Sequence, residues 1–393
     1  MKTLSFEGST REYFKIWIVN VLLVIVTLGL YYPWAKVRNH RYFYANTTFD
    51  DRNFEYHATG KQLFIGYLIA MGLFIAYMVM QNISPIGSLV LFGVFVIAFP
   101  WIIWRSLKFN LLMTSFSNVR FSFAGKIGNA YLNYLLLPIA FFGVLYGVPI
   151  LSAIVLTKVD IEFTGLTRSL AVLGGFLVVV LAFYLFAYMK KRNTCYAVNG
   201  FRYGQGEFKT SVEVGGFAKI LLKTMVIGIG VMVLLLIVIS IGSAVTMGTA
   251  AFTSAFDNLE NPEAWMDRSV IVVIALLYIA MIAASFLIMA YSYARQRRYI
   301  FKNSRLDHNI AFNSTLGART TAWVMVSNFV AILLSLGLAF PWAKVRMARL
   351  VLGHTFIDSD VEFDQYISQA QGDQSPIADQ IGDAFDVDVG VGI

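Results

Sequence analysis

Eight apolar runs divide this chain, at residues 13–32, 63–80, 89–104, 131–156, 170–189, 220–245, 269–292 and 323–340. A helix needs roughly 20 apolar residues to cross a hydrocarbon core about 30 Å thick, and most of these runs meet that length. Their only charges are Lys15 and Lys223, each near the start of its run, unlike the amphipathic helices of soluble domains, which carry a charged face. The connectors fall into two classes. Long cationic ones cover residues 36–61, 105–126, 190–219 and 295–319, while those at 82–88, 156–168 and 247–268 are short or nearly free of Lys and Arg. An excess of Lys and Arg in alternate connectors marks the cytoplasmic side, so the cationic class is expected there.

A repeat underlies the pattern. The hexapeptide Pro-Trp-Ala-Lys-Val-Arg stands at residues 33–38 and again at 341–346. Its upstream flanks also match: Asn20 with Asn328, and Thr27-Leu28-Gly29 with Ser335-Leu336-Gly337. The cationic connectors resemble one another as well. Each runs from a basic helix end into two short alternating segments around polar turn residues, such as Thr47-Thr48-Phe49, Asp50-Asp51 and Phe54-Glu55-Tyr56, then to Gly60. Polar turn residues between alternating segments signal hairpins. About five related units are expected. The fold class that follows is an all-α polytopic membrane protein built from pseudo-repeats, with short cytoplasmic β-hairpins able to pair into one layer.

The first and last runs pose a choice. Either each crosses once, or each folds as a helical hairpin that breaks at Leu28-Gly29 and at Leu336-Gly337. Matching entries and basic exits favour the hairpin, with the hexapeptide returning as its amphipathic half. Residues 1–368 are read as the multi-pass domain. No Lys or Arg follows Arg349, whereas Asp accumulates, so residues 369–393 are expected to form an acidic, disordered tail.

Composition supports the membrane reading. Of 393 residues, 58% are hydrophobic and 14% charged, against about 45–50% and 25% in soluble domains. The net charge of +8 is accounted for by the cationic connectors, and no nucleic-acid partner is expected. The single cysteine, Cys195, allows no intrachain disulfide. The polar N-terminus has no small-residue cleavage site after it, so no cleaved signal peptide is expected.

Candidate chemistry is sparse. His40, His57, His308 and His354 share no ligand spacing, and no HExxH, CxxC, GxSxG or Walker pattern occurs. Neither a cofactor nor enzymatic activity is expected. The apolar runs hold no Asp or Glu, which argues against a proton-driven carrier. Asn20 and Asn328 are the most informative polar residues inside the runs; they read as interhelical hydrogen bonds or as a polar seam. Trp34, Lys36, Arg38, Trp342, Lys344 and Arg346 read as headgroup anchors, which makes anionic lipids of the cytoplasmic leaflet the expected partners.

The segment Phe14-Lys15-Ile16-Trp17-Ile18-Val19-Asn20, the run through Tyr32 to Arg38, and Phe54-Glu55-Tyr56-His57-Ala58-Thr59-Gly60 resemble the YjgN-like family of multi-pass bacterial inner-membrane proteins of unknown function. The similarity covers the chain to about Ser368, with the acidic tail as an addition. It implies a bacterial inner-membrane location and supplies no catalytic or ligand residues. The leading functional expectation is non-enzymatic binding or transport of a small or lipidic solute. The alternative is a scaffold that recruits partners through the hairpins and the acidic tail.

Overall fold

A computed structural model describes residues 2–158, 164–257, 268–307 and 310–359. The acidic tail and His308 lie outside them. Ten helices account for the apolar runs: α1 (Thr10–Val26), α2 (Tyr32–Ala45), α3 (Gly60–Ile83), α4 (Pro85–Leu112), α5 (residues 127–158), α6 (Gly165–Gly200), α7 (Val214–Asp257), α8 (Arg268–Lys302), α9 (Ala318–Leu334) and α10 (Phe340–Gly353). Local chemistry sets several starts. The Ser9 hydroxyl accepts from the Glu12 amide, and Thr59 and Gln62 form a reciprocal capping box at α3. Within α5, two π-helical turns, Leu132–Leu136 and Gly143–Gly147, lie just before Pro138 and Pro149. A proline ring crowds the carbonyl four residues back, and one wider turn makes room for it.

Six helices, α3 to α8, are long and apolar enough to cross a membrane, and few of their residues are buried inside the protein. Large apolar side chains such as Val172 and Leu166 point outward. Lipid is the medium that tolerates such a surface, and the chain is a polytopic membrane protein.

The first and last runs are each interrupted. Leu28 (φ 51°) and Gly29 (φ 93°) take left-handed backbone, as do Leu336 (φ 50°) and Gly337 (φ 94°). α1 folds back on α2, so that the Tyr13 ring meets Tyr42 and Phe43 at centroid distances of 5.3 and 4.8 Å. In the last run, Asn328 of α9 reaches Arg346 of α10. Both runs are helical hairpins.

The connectors form one sheet. Its strands are β1 (Lys2–Thr3), β2 (Ser5–Phe6), β3 (Thr47–Phe49), β4 (Arg52–Tyr56), β5 (Thr114–Phe116), β6 (Val119–Phe123), β7 (Phe201–Tyr203), β8 (Gly206–Thr210), β9 (Ser304–Leu306), β10 (Ile310–Ser314) and β11 (Thr355–Ser359). The order runs β1-β11-β10-β9-β8-β7-β6-β5-β4-β3-β2, antiparallel throughout. Since β1 and β2 are separated only by Leu4, the two ends of the order are one N-terminal segment. That segment pairs with β11 on one side and with β3 on the other, so the sheet closes on itself. Four hairpins are covalent, and the fifth is made by β11 with the N-terminus.

Turn chemistry explains the register. Asp50 and Asp51, then Ser117 and Asn118, all have positive φ. Two-residue loops with both residues left-handed match the twist of paired strands, and Asp and Asn tolerate that conformation. The helix ends are built alike: the hydroxyls of Thr47, Thr114, Ser304 and Thr355 each donate to the carbonyl four residues back. Inside the ring, Phe49, Phe116, Val119, Tyr203, Leu306 and Ile310 form a core on which Leu4 and Ile357 pack. The Tyr203 hydroxyl donates to the Phe116 carbonyl at 3.0 Å, and burial raises its pKa well above the ordinary phenol value.

The chain divides into two compact units. One comprises Met1–Ala218, Arg298–Thr315 and the chain from Ala348, and it contains the whole sheet. The other comprises Lys219–Arg297 and Leu316–Met347.

Aromatic rings lie flat on the glycines that lead from strand to helix. A side chain at Gly60 would strike the Trp34 indole, and one at Gly216 the Tyr299 ring. Gly60→Ala and Gly216→Ala should each destabilise the protein by about 1–3 kcal/mol, the usual cost of overpacking. Gly93→Ala, where a Cβ meets open space, should be neutral or mildly stabilising. Thermal unfolding in detergent checks this, and equal melting temperatures for all three would refute the packing account.

Candidate functional site

An arginine stands nine residues before the first strand of every repeat: Arg38, Arg105, Arg192, Arg295 and Arg346 precede Thr47, Thr114, Phe201, Ser304 and Thr355. Four residues before each arginine is an aromatic residue: Trp34, Trp101, Tyr188, Tyr291 and Trp342. Five before is a buried Pro or Ala: Pro33, Pro100, Ala187, Ala290 and Pro341. The hexapeptide thus occurs five times as a small residue, an aromatic, and an arginine at fixed spacing. One helical turn separates aromatic from arginine, which places them on one face. Accordingly the guanidinium carbon of Arg346 lies 5.0 Å from the Trp342 ring centre, and that of Arg295 lies 5.6 Å from Tyr291.

Three of these arginines are held by a buried asparagine on the helix that enters the same repeat. Arg38 donates to Asn20 Oδ1 at 3.3 Å, Arg192 Nε to Asn133 Oδ1 at 3.2 Å, and Arg346 to Asn328 Oδ1 at 3.1 Å. Asn20, Asn133 and Asn328 are 3%, 1% and 8% exposed. Two of the three hairpins carry a further bond. Asn20 Nδ2 donates to Asn39 Oδ1, Asn328 Nδ2 donates to the Ala343 carbonyl, and Arg346 also donates to Ser327 Oγ at 2.6 Å. An amide oxygen orients a guanidinium without neutralising it. Helices α2–α6 and α8–α10 contain no Asp or Glu. Among the described residues, none of Lys36, Arg38, Arg192 and Arg346 meets a carboxylate, whereas Lys2–Asp50, Arg202–Glu207 and Lys209–Glu207 pair on the sheet. Positive charge is thus concentrated beside apolar helix faces, with its full valence available.

The sequence candidates are placed as follows. Asn20 and Asn328 are each joined to the arginine of their own hairpin. Trp34 is packed between Tyr31 and Phe64, at ring-centre distances of 6.0 and 4.9 Å, while Trp342 is partly exposed beneath Arg346. The third pair, Asn133 with Arg192, was missed because its two residues are 59 positions apart. The nine-residue spacing to the following strand marks Arg192 in the sequence, but it does not mark Asn133 as its partner.

Two other places bring polar or apolar groups together. On the sheet, His57 Nε2 is 2.7 Å from Ser115 Oγ and 3.4 Å from Glu55 Oε2. A relay needs the carboxylate on the opposite ring nitrogen from the hydroxyl, and here both reach the same one. Between α7 and α8 lies a cleft of about 580 Å³ lined by residues including Gly228, Met232, Leu235, Tyr278 and Met281. Its Ser285 hydroxyl turns back to the Ile282 carbonyl at 2.6 Å, so the cleft offers apolar surface with little polar recognition.

A model of the bacterial proteins of unknown function designated DUF898 matches residues 1–384. The chain belongs to that family. The match passes Ser368, so the acidic stretch as far as residue 384 falls within the family's length and is not an addition to it. The inner membrane protein YjgN of Salmonella typhimurium is 28% identical over 365 residues, covering 92% of this chain and 89% of the relative. The proteins of the same name from Escherichia coli O157:H7 and Escherichia coli K12 are each 26% identical over 372 residues, with 91% and 88% covered. No solved structure matches. This member of the DUF898 family is an inner-membrane, multi-pass protein, and the repeated arginine is the feature of its fold with the clearest chemical potential.

Proposed function

We propose that this protein binds an anionic lipid at the repeated arginine level and acts without catalysing a reaction. The observation that carries the reading is an arginine at one register in all five repeats, three of them oriented by buried asparagine and unmatched by carboxylate. A guanidinium beside an apolar helix face suits a ligand with phosphate at one end and acyl chains at the other. The cationic side, including the closed sheet, is assigned to the cytoplasm on the asymmetry of Lys and Arg. Movement of the bound lipid is the natural extension.

Each cation near a surface contributes about 1 kcal/mol toward anionic lipid, about fivefold in affinity for each arginine taken by itself. Native mass spectrometry of the full chain, exchanged between phosphatidylglycerol and phosphatidylcholine micelles, measures the preference. The wild type should retain the anionic lipid, and Arg38→Gln/Arg192→Gln/Arg346→Gln should lose most of that preference while remaining folded and monodisperse in the same micelles. Equal retention of the two lipids by wild type would sink the reading. Displacement by inorganic phosphate alone would reassign the site to a free anion.

A further inference from the structure

The five repeats share their arginine, yet they extend very different distances beyond it. In the second repeat, Ser84 at the helical turn is 21 residues from Arg105, about 31 Å of helix. In the third, Thr164 is 28 residues from Arg192, about 42 Å. Either suffices to cross a hydrocarbon core of about 30 Å. In the first repeat Gly29 is only nine residues from Arg38, and in the fifth Gly337 is nine from Arg346. Since α2 and α10 begin only at Tyr32 and Phe340, each runs six residues, about 9 Å, to its arginine, and the turn beyond brings the tip to about half the core or less.

The tips of the two short hairpins are built for a place without water. Leu28 and Leu336 are 91% and 94% exposed, flanked by Val26 and Leu334 at 79% and 80%. The turn sequences Thr27-Leu28-Gly29-Leu30-Tyr31-Tyr32 and Ser335-Leu336-Gly337-Leu338-Ala339-Phe340 hold no charge. A turn in water can leave amide groups to the solvent, whereas a turn in hydrocarbon must satisfy them internally. Here six consecutive amides in each tip do so. Those of Thr27, Leu28, Gly29, Leu30 and Tyr32 donate to backbone carbonyls, and Tyr31 donates to Thr27 Oγ1. The second tip repeats the scheme from Ser335 to Phe340, with Ala339 donating to Ser335 Oγ. The Thr27 and Ser335 hydroxyls are in turn spent on the carbonyls of Leu23 and Ile332. By contrast, the turn of the second repeat is polar, with Gln81, Asn82 and Ser84.

We propose that the hairpins α1–α2 and α9–α10 are half-membrane elements: each enters and leaves through one leaflet, and its leucine tip ends among acyl chains at the bilayer midplane. The partner of this surface is the hydrocarbon of a single leaflet. The first and last repeats therefore leave the opposite leaflet uncrossed, while α3 to α8 traverse both. This placement holds whether or not the arginines bind a ligand.

Single cysteines at Leu28, Leu336, Ser84 and Thr47, in the Cys195→Ala chain, test it in sealed vesicles of both orientations with a membrane-impermeant maleimide. Ser84→Cys and Thr47→Cys should label from opposite sides. Leu28→Cys and Leu336→Cys should react about tenfold or more slowly from either side, because a thiol in hydrocarbon forms little thiolate. Nitroxides at the same two positions should collide freely with oxygen and hardly at all with a water-soluble nickel chelate. Fast labelling of a tip from the Ser84 side would show a full crossing, and from the Thr47 side a hairpin lying in water. Low oxygen collision would show a tip packed against protein. Each of these three outcomes overturns the proposal. Val26→Cys and Leu334→Cys, at the exposed helix ends, serve if a tip variant fails to fold.

Discussion

Deletion of residues 2–6 should lower the melting temperature of the extracted protein by more than about 10 °C, a larger loss than any single substitution in the sheet. The segment is short, but it closes the ring. Lys2 and Thr3 pair with Ile357 and Phe356, and Ser5 and Phe6 pair with Thr48 and Thr47. The Leu4 amide donates to the Thr355 carbonyl at 3.0 Å, and Lys2 forms an ion pair with Asp50 at 2.6 Å. Phe6 is buried against Phe43 and Tyr42. A handful of ladder hydrogen bonds at about 1 kcal/mol each, with about 2 kcal/mol for the phenylalanine, gives a loss of several kcal/mol. The deletion also leaves β3 and β11 as free edges, which invites pairing between molecules. Phe6→Ala keeps the backbone pairs and should lose only the packing share, with no gain in aggregation. If the deletion and Phe6→Ala melt together, closure of the ring contributes nothing.

The architecture was legible in the sequence to the extent that side-chain chemistry repeats there. Apolar runs announced the helices, Lys and Arg separated the two kinds of connector, and Asp50-Asp51 and Ser117-Asn118 announced their turns. Leu28-Gly29 and Leu336-Gly337 marked the breaks because glycine takes the left-handed backbone that ends a helix without steric cost. Closure of the sheet was not legible. Strands of two to five residues carry almost no periodicity, and pairing of β1 with β11 joins positions more than 350 residues apart. The core side chains Phe49, Phe116, Tyr203, Leu306 and Ile357 occupy the same position in five first strands, yet they differ in type. Likewise the arginine level was visible only where the hexapeptide was unchanged. Ile102-Ile103-Trp104 and Met189-Lys190-Lys191 conceal the same small–aromatic–arginine frame, because helix packing constrains one face and leaves the rest free to vary.

The asparagines give the second large effect, and the structure changes what should be measured. Each asparagine oxygen is an acceptor for an arginine of its own hairpin, so removing it takes a charged hydrogen bond away and leaves Arg38 with Tyr31 Oη and Arg346 with Ser327 Oγ. Loss of a hydrogen bond to a charged group costs about 1.5–3 kcal/mol. Asn20→Leu and Asn328→Leu should each destabilise by about that amount, and the two together by the sum, about 3–6 kcal/mol, since sites without shared partners add. Within one hairpin the behaviour differs. Arg346→Leu should largely abolish the cost of Asn328→Leu, because no guanidinium then remains to be satisfied, giving a coupling of about 1–2 kcal/mol in a double-mutant cycle. Arg38→Leu should do the same for Asn20→Leu. A polar seam shared by Asn20 and Asn328 would reverse the pattern, with strong coupling between the two asparagines and little within a hairpin. Additive asparagines together with coupled asparagine–arginine pairs would identify the bond as the device that aims each arginine, as binding of an anion requires.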